Sequence, residues 1–172
     1  MTAEELLAYP GHQHYELVAG TLRVSEPPGG RHGQVAAHLA QLLRSHVKAA
    51  GLGTALVESG YIVRRNPDTV RGPDVSFVSK SRLDPDRIPT GFLPFAPDLA
   101  VEILSPDDRP GDIAEKVRDY VAGGAKLVWV VDPVRRSVTI HRPDRESETI
   151  APPATLDGGD VLPAFACPLA EL

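Results

Sequence analysis

The spacing of hydrophobic and polar residues predicts three helices. Between His32 and Ala49, apolar residues recur every three or four positions, which is typical of an amphipathic helix. A second helix of this kind is expected over 112–122. Thr2 and Glu5 form a capping-box pattern, so a short helix is expected over 3–8.

Other stretches are rich in branched residues or alternate in polarity, and these predict β-strands separated by turns. The expected strands are a hairpin of 15–18 with 21–24, then 54–63, 70–78, 99–104 and 127–131, and a second hairpin of 138–141 with 148–150. The proline-rich segment 81–97 and the tail 152–172 are expected to be irregular.

The segments 99–104, 112–122 and 127–131 form a strand–helix–strand succession. Two apolar strands joined by one helix are expected to lie parallel, with a right-handed crossover. Their continuous apolar character also predicts that helices cover both faces of the sheet, namely 32–49 and 112–122. The pattern therefore indicates an α/β fold.

Length and composition narrow the class of protein. The 172 residues fit a single domain over 1–172. Apolar runs fall short of the roughly 20 residues that span a bilayer, and the first twelve residues do not resemble a secretory signal. One cysteine, Cys167, allows neither an internal disulfide nor a Cys-based zinc site. We therefore expect a cytoplasmic protein.

The chain has a net charge of −5 and a pI of about 5.6. Proteins that coat nucleic acid by bulk electrostatics are usually strongly basic, so this class is disfavoured. An enzyme that meets DNA through a local basic strip is compatible with the charge. Arg64, Arg65 and Arg71 form such a local cluster, for which phosphate binding and surface solubility are equally good explanations.

Two carboxylates stand out from the apolar pattern. Glu102 lies inside the run LAVEIL, where an ionised carboxylate is costly unless it is paired or bound to a metal. Strand alternation puts small Ala100 on the same face, which leaves room beside Glu102. Asp74 opens another predicted strand. If the two strands are neighbours, both carboxylates converge on one hard cation, Mg²⁺ or Mn²⁺.

Lys116 lies at the border of the apolar stripe of its predicted helix, one turn from Ile113 and from Tyr120. An ammonium group there points towards the sheet and the two carboxylates. In phosphodiester hydrolysis it would orient or activate the attacking water, or stabilise the anionic transition state.

Each of these residues also has a simpler structural explanation. Glu102 would form a buried ion pair with a cation such as Lys116. Asp74 would serve a turn at the start of its strand. Lys116 would pair with Glu115 on the helix surface. For His32, a polar residue at a helix start is a better explanation than a phosphate contact.

The order and spacing of these residues resemble the Uma-type restriction endonuclease family of the PD-(D/E)XK nuclease superfamily. The matching pieces are Pro73-Asp74, Glu102 in VEILSP, Lys116 with Tyr120, Tyr15-Glu16-Leu17 with Gly20, His32, and Trp129 with Val131-Asp132-Pro133. They cover about residues 4–142. The resemblance implies a restriction-endonuclease-like core, in which helices flank a central mixed β-sheet. The residue pattern after this core predicts the C-terminal hairpin and the loop-rich tail.

The resemblance also implies a function, a metal-dependent endodeoxyribonuclease that acts on DNA. Carried over by position, Asp74 and Glu102 would bind Mg²⁺ or Mn²⁺, and Lys116 would be the catalytic lysine. Glu16 would be a further acidic residue of the site. One departure is that the superfamily's usual lysine position, two residues after the glutamate, holds Leu104.

This departure leaves alternatives open. Together with the net negative charge, it motivates a catalytically inactive nuclease-fold module that binds DNA or protein. A metallohydrolase that acts on small phosphate esters is a separate, third alternative. A homodimer is also possible, because edge strands near 138–150 can pair across a two-fold axis. Such a dimer would suit double-strand cleavage.

Overall fold

Helices and strands alternate along the computed structural model, which describes residues 1–11 and 14–172. In chain order they are α1 (Ala3–Leu7), β1 (His14–Val18), β2 (Thr21–Ser25), α2 (Gly30–Ala49), β3 (Gly53–Val57), β4 (Tyr61–Arg64), β5 (Thr69–Arg71), β6 (Val75–Ser79), β7 (Leu99–Ile103), α3 (Pro110–Ala122), β8 (Leu127–Asp132), β9 (Ser137–Arg142), β10 (Arg145–Ile150), β11 (Thr155–Gly158) and β12 (Leu162–Pro168), with a final 3₁₀ turn at Leu169–Glu171.

Six strands form the main sheet in the order β10-β9-β8-β7-β6-β3. The pair β7–β8 is parallel, with Glu102 beside Val130, and the other four pairs are antiparallel. The predicted parallel unit around α3 and the mixed central sheet are therefore confirmed. Strand β10 lies at one edge of this sheet, where a second copy of the chain could pair with it. The homodimer stays a prediction.

A second sheet, in the order β2-β1-β5-β4, brings the N-terminal hairpin against the middle of the chain. The expected strands 54–63 and 70–78 were wrong in their extent, because each is split into two. The first breaks at 58–60, where Glu58 has a positive φ of 46°, and the second at Gly72-Pro73. Because of these breaks, β3 and β6 belong to the main sheet, whereas β4 and β5 belong to this smaller sheet.

Helices cover both faces of the main sheet, as predicted. On one face, α2 contributes Val35, Leu39, Leu43 and Val47 to a cluster that includes Phe77, Leu99, Val101 and Trp129. On the other face, α3 contributes Val117 and Tyr120, which pack with Ala100, Val128 and Val130. Glu102 lies on the face that α3 covers. Each fully buried large apolar side chain contributes roughly 1.5–3 kcal/mol.

The tail after residue 152 is not loop-rich, which corrects the prediction. Strands β11 and β12 form a hairpin, and its buried side chains, Leu156, Leu162 and Phe165, extend the cluster under α2. Prolines and glycines interrupt the apolar alternation of this segment, so the sequence pattern concealed the two strands. Within the described residues, no helix is long and apolar enough to cross a membrane.

Candidate active site

Glu102 is held in place by the crossover helix. The residue is 4% exposed. The Oε2 atom lies 2.9 Å from Lys116 Nζ, and Oε1 accepts a hydrogen bond of 2.6 Å from the Tyr120 hydroxyl. Both partners come from α3, because that helix packs on the face towards which Glu102 points. The buried ion pair between Glu102 and Lys116, which was the simpler explanation of Glu102 in the sequence, is therefore present.

Asp74 lies next to Glu102 across the β6–β7 pair, whose last paired residues are Val75 and Val101. Its Oδ2 atom accepts a hydrogen bond of 2.6 Å from the backbone N–H of Ile103. Asp74 and Glu102 line one cavity of about 440 Å³, which we call the acidic cleft. The structure therefore brings the two predicted carboxylates to one place.

Glu16 reaches the same cleft from β1. Its Oε1 atom lies 3.4 Å from Lys116 Nζ and accepts a hydrogen bond of 3.0 Å from the backbone N–H of Gly72. Its Oε2 atom accepts a hydrogen bond of 2.9 Å from Arg71. Lys116 thus lies between two carboxylates, Glu16 and Glu102, and is not the solvated surface lysine of the simpler explanation.

Arg71 holds Glu16 in place and is itself buried, with only 3% of the residue exposed. Besides Glu16, its guanidinium contacts Asp119 at 2.6 Å and Glu115 at 3.3 Å, both on α3. Burial disfavours the cation, but the charges of Glu16 and Asp119 outweigh this effect and raise the pKa of Arg71. The guanidinium therefore ties β5, β1 and α3 together.

The basic cluster of Arg64, Arg65 and Arg71, for which phosphate binding was one explanation, contacts other residues of the protein. Arg71 is buried among carboxylates, as described above. Arg65 pairs with Glu4 and Asp68 at 2.8 Å each, and Arg64 donates a hydrogen bond to Thr69. These contacts favour a structural role, so the cluster does not support phosphate binding.

The cleft contains more negative than positive charge. Burial raises the pKa of the Glu102 carboxyl to about 7, although the charge of Lys116 opposes this shift. The negative charges of Asp74 and Glu16 raise it further. Burial also disfavours the Lys116 ammonium, but Glu102 and Glu16 outweigh burial and raise its pKa. Burial and the charge of Glu102 raise the pKa of Tyr120 well above its usual range.

These shifts define what each group does at neutral pH. Lys116 and Tyr120 carry their protons, so both are donors and neither is a general base in the metal-free protein. The cleft is lined by more carboxylates, among them Asp74, Glu102 and Glu16, than cationic side chains, which leaves an excess of negative charge in a partly buried space. A further cation would relieve that charge.

His32 lines the acidic cleft, although its sequence context favoured a polar residue at a helix start. It lies in the first turn of α2, is buried, and places Nε2 at 3.2 Å from Asp74 Oδ1. The hydrogen bond to Asp74 raises the pKa of His32 against the opposing effect of burial. Among the described residues, its Nδ1 atom has no hydrogen-bond partner. The helical spacing of His32, Val35 and Leu39 was the signal that it faces inward.

The donor set fits a hard divalent cation. Asp74 and Glu102 offer carboxylate oxygens, and Mg²⁺ typically binds one or two carboxylates while water and substrate phosphate fill the other positions. In the part of the chain that the structure describes, no group of three or more His, Cys, Asp or Glu side chains is arranged to hold a metal. A structural zinc site, which needs four protein ligands, does not fit this donor set.

The fold defines a class, a restriction-endonuclease-like α/β protein with a central mixed sheet, and comparisons with known proteins agree with that fold. The Uma2 family model, described as "Putative restriction endonuclease", matches residues 3–170, and the chain belongs to that family. The family resemblance expected from the sequence is therefore confirmed.

A solved structure supports the fold assignment. It is that of a "putative nuclease belonging to DUF820" from Anabaena variabilis ATCC 29413, which superposes with a TM-score of 0.86. The match covers 99% of this chain and 96% of that chain at 24% sequence identity, so it establishes the fold. No curated protein matches the sequence.

Proposed function

We propose that this protein is a divalent-metal-dependent endonuclease of the PD-(D/E)XK type that hydrolyses phosphodiester bonds in DNA. One observation carries the proposal. Asp74 and Glu102 face one cleft from adjacent strands, and Lys116 lies 2.9 Å from Glu102 at the same place. Membership of the Uma2 family supports a nuclease, and the geometry supports the particular residues.

Asp74 and Glu102 would hold the metal, Mg²⁺ or Mn²⁺. When bound, the cation would supply Lewis-acid stabilisation of the negative charge that develops on the phosphoryl oxygens. Ile103 and His32 fix the Asp74 carboxylate, while Lys116 and Tyr120 fix that of Glu102. Because these contacts exist before any ligand binds, little reorganisation is needed at the moment of reaction.

Lys116 would act as a charged hydrogen-bond donor. Its protonated Nζ can hold the attacking water by donating to it, and can stabilise the anionic transition state. Glu16 would be a positioning residue, because it contacts Lys116 and is itself held by Arg71. Leu104, at the superfamily's usual lysine position, packs with the apolar cluster beneath α3. The helix would therefore supply the ammonium in place of the strand.

The direct test is cleavage of supercoiled plasmid with Mg²⁺ or Mn²⁺, alongside manganese binding by calorimetry. We expect nicking that EDTA stops and that Asp74→Asn and Glu102→Gln abolish. Glu148→Gln, which alters an exposed carboxylate on β10, is the matched control and retains activity. Wild-type protein that neither binds Mn²⁺ nor cuts any DNA would refute the proposal.

A second candidate is a nuclease-fold module that binds DNA or protein without catalysis. The observation that favours it is the Glu102–Lys116 ion pair, which satisfies the buried carboxylate without a metal. In that case binding would persist in EDTA and in Glu102→Gln. Turnover of nucleotides but not of polynucleotides would instead indicate a small phosphate ester as substrate.

A further inference from the structure

Exposed apolar side chains gather at the mouth of the acidic cleft. Leu7 is 55% exposed and Tyr9 is 41% exposed, and both line the cavity that contains Glu102 and Lys116. Exposed apolar side chains that line a polar cleft are available to contact a ligand bound there.

Tyr9 is held by a neighbouring ring but is not covered by it. The rings of Tyr9 and Tyr15 lie edge to face, with centroids 5.3 Å apart and an interplanar angle of 88°. Tyr15 itself packs against the buried cluster that includes Leu6 and Leu17. This contact restricts the Tyr9 ring, and because the two rings meet edge to face, Tyr15 leaves at least one face of the Tyr9 ring uncovered.

The charges of the cleft disfavour a ligand held mainly through its phosphates. The carboxylates that line it are Glu16, Glu26, Glu58, Asp74, Glu102 and Asp108. Among the described lining residues, Lys116 is the one lysine or arginine, and it already contacts two of these carboxylates. Beyond the metal, affinity for a nucleic acid must therefore come from uncharged contacts.

We propose that Tyr9 is a base-stacking platform and that the preferred substrate is unpaired DNA, either a single strand or a frayed end. An unpaired base would lie on the Tyr9 ring while the adjacent phosphate reaches Lys116 and the cation that Asp74 and Glu102 would hold. This inference rests on the proposed nuclease function. Aromatic side chains stack on any base, because every base has a π-face. The cleft, at about 440 Å³, lies in the size range of small-ligand pockets. A base inside an intact duplex is already stacked between its neighbours, so stacking on Tyr9 requires a base that has left the duplex.

The test compares a short fluorescent oligothymidylate with the same strand in a blunt duplex, by anisotropy in Ca²⁺. We expect the wild type to bind the single strand at least about tenfold more tightly than the duplex, and Tyr9→Ala to lose about tenfold of that affinity. Tyr9→Phe keeps the ring and retains the affinity. Ile88→Ala is the matched control, because Ile88 is also 41% exposed but does not line the cleft. Circular dichroism checks that each variant is folded.

The inference is overturned if the duplex binds as tightly as the single strand, or if Tyr9→Ala binds the single strand like the wild type. A lysine-rich peptide that binds more tightly than any oligonucleotide would also overturn it. Parallel cleavage assays separate this inference from the nuclease proposal. Duplex cleavage that Tyr9→Ala leaves unchanged refutes only the stacking role, whereas Tyr9-dependent binding without any cleavage supports stacking and refutes catalysis.

Discussion

Asp74 accepts a hydrogen bond of 2.6 Å from the backbone N–H of Ile103, the residue that follows Glu102. A carboxylate from the residue just before β6 thereby fixes the end of β7. The two candidate metal ligands belong to one hydrogen-bonded unit, and their spacing does not depend on a bound cation.

Asp74→Asn should separate the charge of this residue from its structural role. An asparagine oxygen can still accept from Ile103, so we expect stability to change by no more than about 1 kcal/mol. Loss of the charge should weaken Mn²⁺ binding at least about tenfold and abolish cleavage. Asp74→Ala leaves the Ile103 amide unpaired and should cost about 1–3 kcal/mol in urea denaturation. Wild-type affinity for Mn²⁺ in Asp74→Asn would show that Asp74 is not a ligand.

Lys116→Met tests the charged-donor role, since methionine keeps the aliphatic length but loses the ammonium. We expect the rate of cleavage in single-turnover experiments to fall about 10²–10³-fold. Mn²⁺ binding should persist, because the carboxylates remain. Arg118→Met removes an exposed cation from the same helix and serves as the control. A rate for Lys116→Met close to that of the wild type would remove Lys116 from the mechanism.

The pKa of Glu102 predicts a pH-dependent stability in the metal-free protein. Folding raises this pKa from 4.5 to about 7, mainly through burial, so the folded state binds the proton more tightly than the unfolded state. The stability contribution is fully present below about 4.5 and is lost as the pH rises through about 7. In EDTA, the stability difference between the wild type and Glu102→Gln should shift by about 1–3 kcal/mol across that window, in favour of the variant at high pH.

Urea denaturation of both proteins at several pH values measures this difference. Mg²⁺ should stabilise the wild type at high pH and leave Glu102→Gln almost unaffected, because a ligand that binds only the native state raises its stability. If the free energy of unfolding changed with pH in the same way for both proteins, the pH dependence could not be assigned to Glu102.

The sequence predicted those parts of the site whose signal is local. A charge inside the apolar run of β7 identified Glu102, and helical spacing placed Lys116 at the border of a buried stripe. The parallel β7–β8 pair followed from the strand–helix–strand order. These features depend on residues close together in the chain, where periodicity is informative.

The contacts that the sequence did not reveal join distant segments. In the sequence, Arg71 lies near other arginines and was interpreted as part of a basic cluster. In the fold, it contacts carboxylates from β1 and α3. His32 contacts Asp74 across more than forty positions of the chain. Such pairs depend on strand order and sheet curvature, which a single sequence pattern does not encode. Only the family resemblance pointed to Glu16.

Arg71 offers a test of how the scaffold positions Lys116. Its guanidinium binds Glu16 on one side and Asp119 on the other, in the fork geometry that lysine cannot reproduce. Arg71→Ala would leave buried carboxylates uncompensated and should cost about 3–5 kcal/mol. Arg71→Lys keeps one charge, so we expect a folded protein in which Glu16 is less well held.

For Arg71→Lys, the expected result is a lower kcat with KM and Mn²⁺ affinity near those of the wild type, because Lys116 is misplaced while the metal ligands are not. Glu16→Gln should show the same pattern, and the double variant should lose little more than either single variant, since both changes act through one ammonium. Additive losses in the double variant would mean that Arg71 stabilises the fold without setting the position of Lys116.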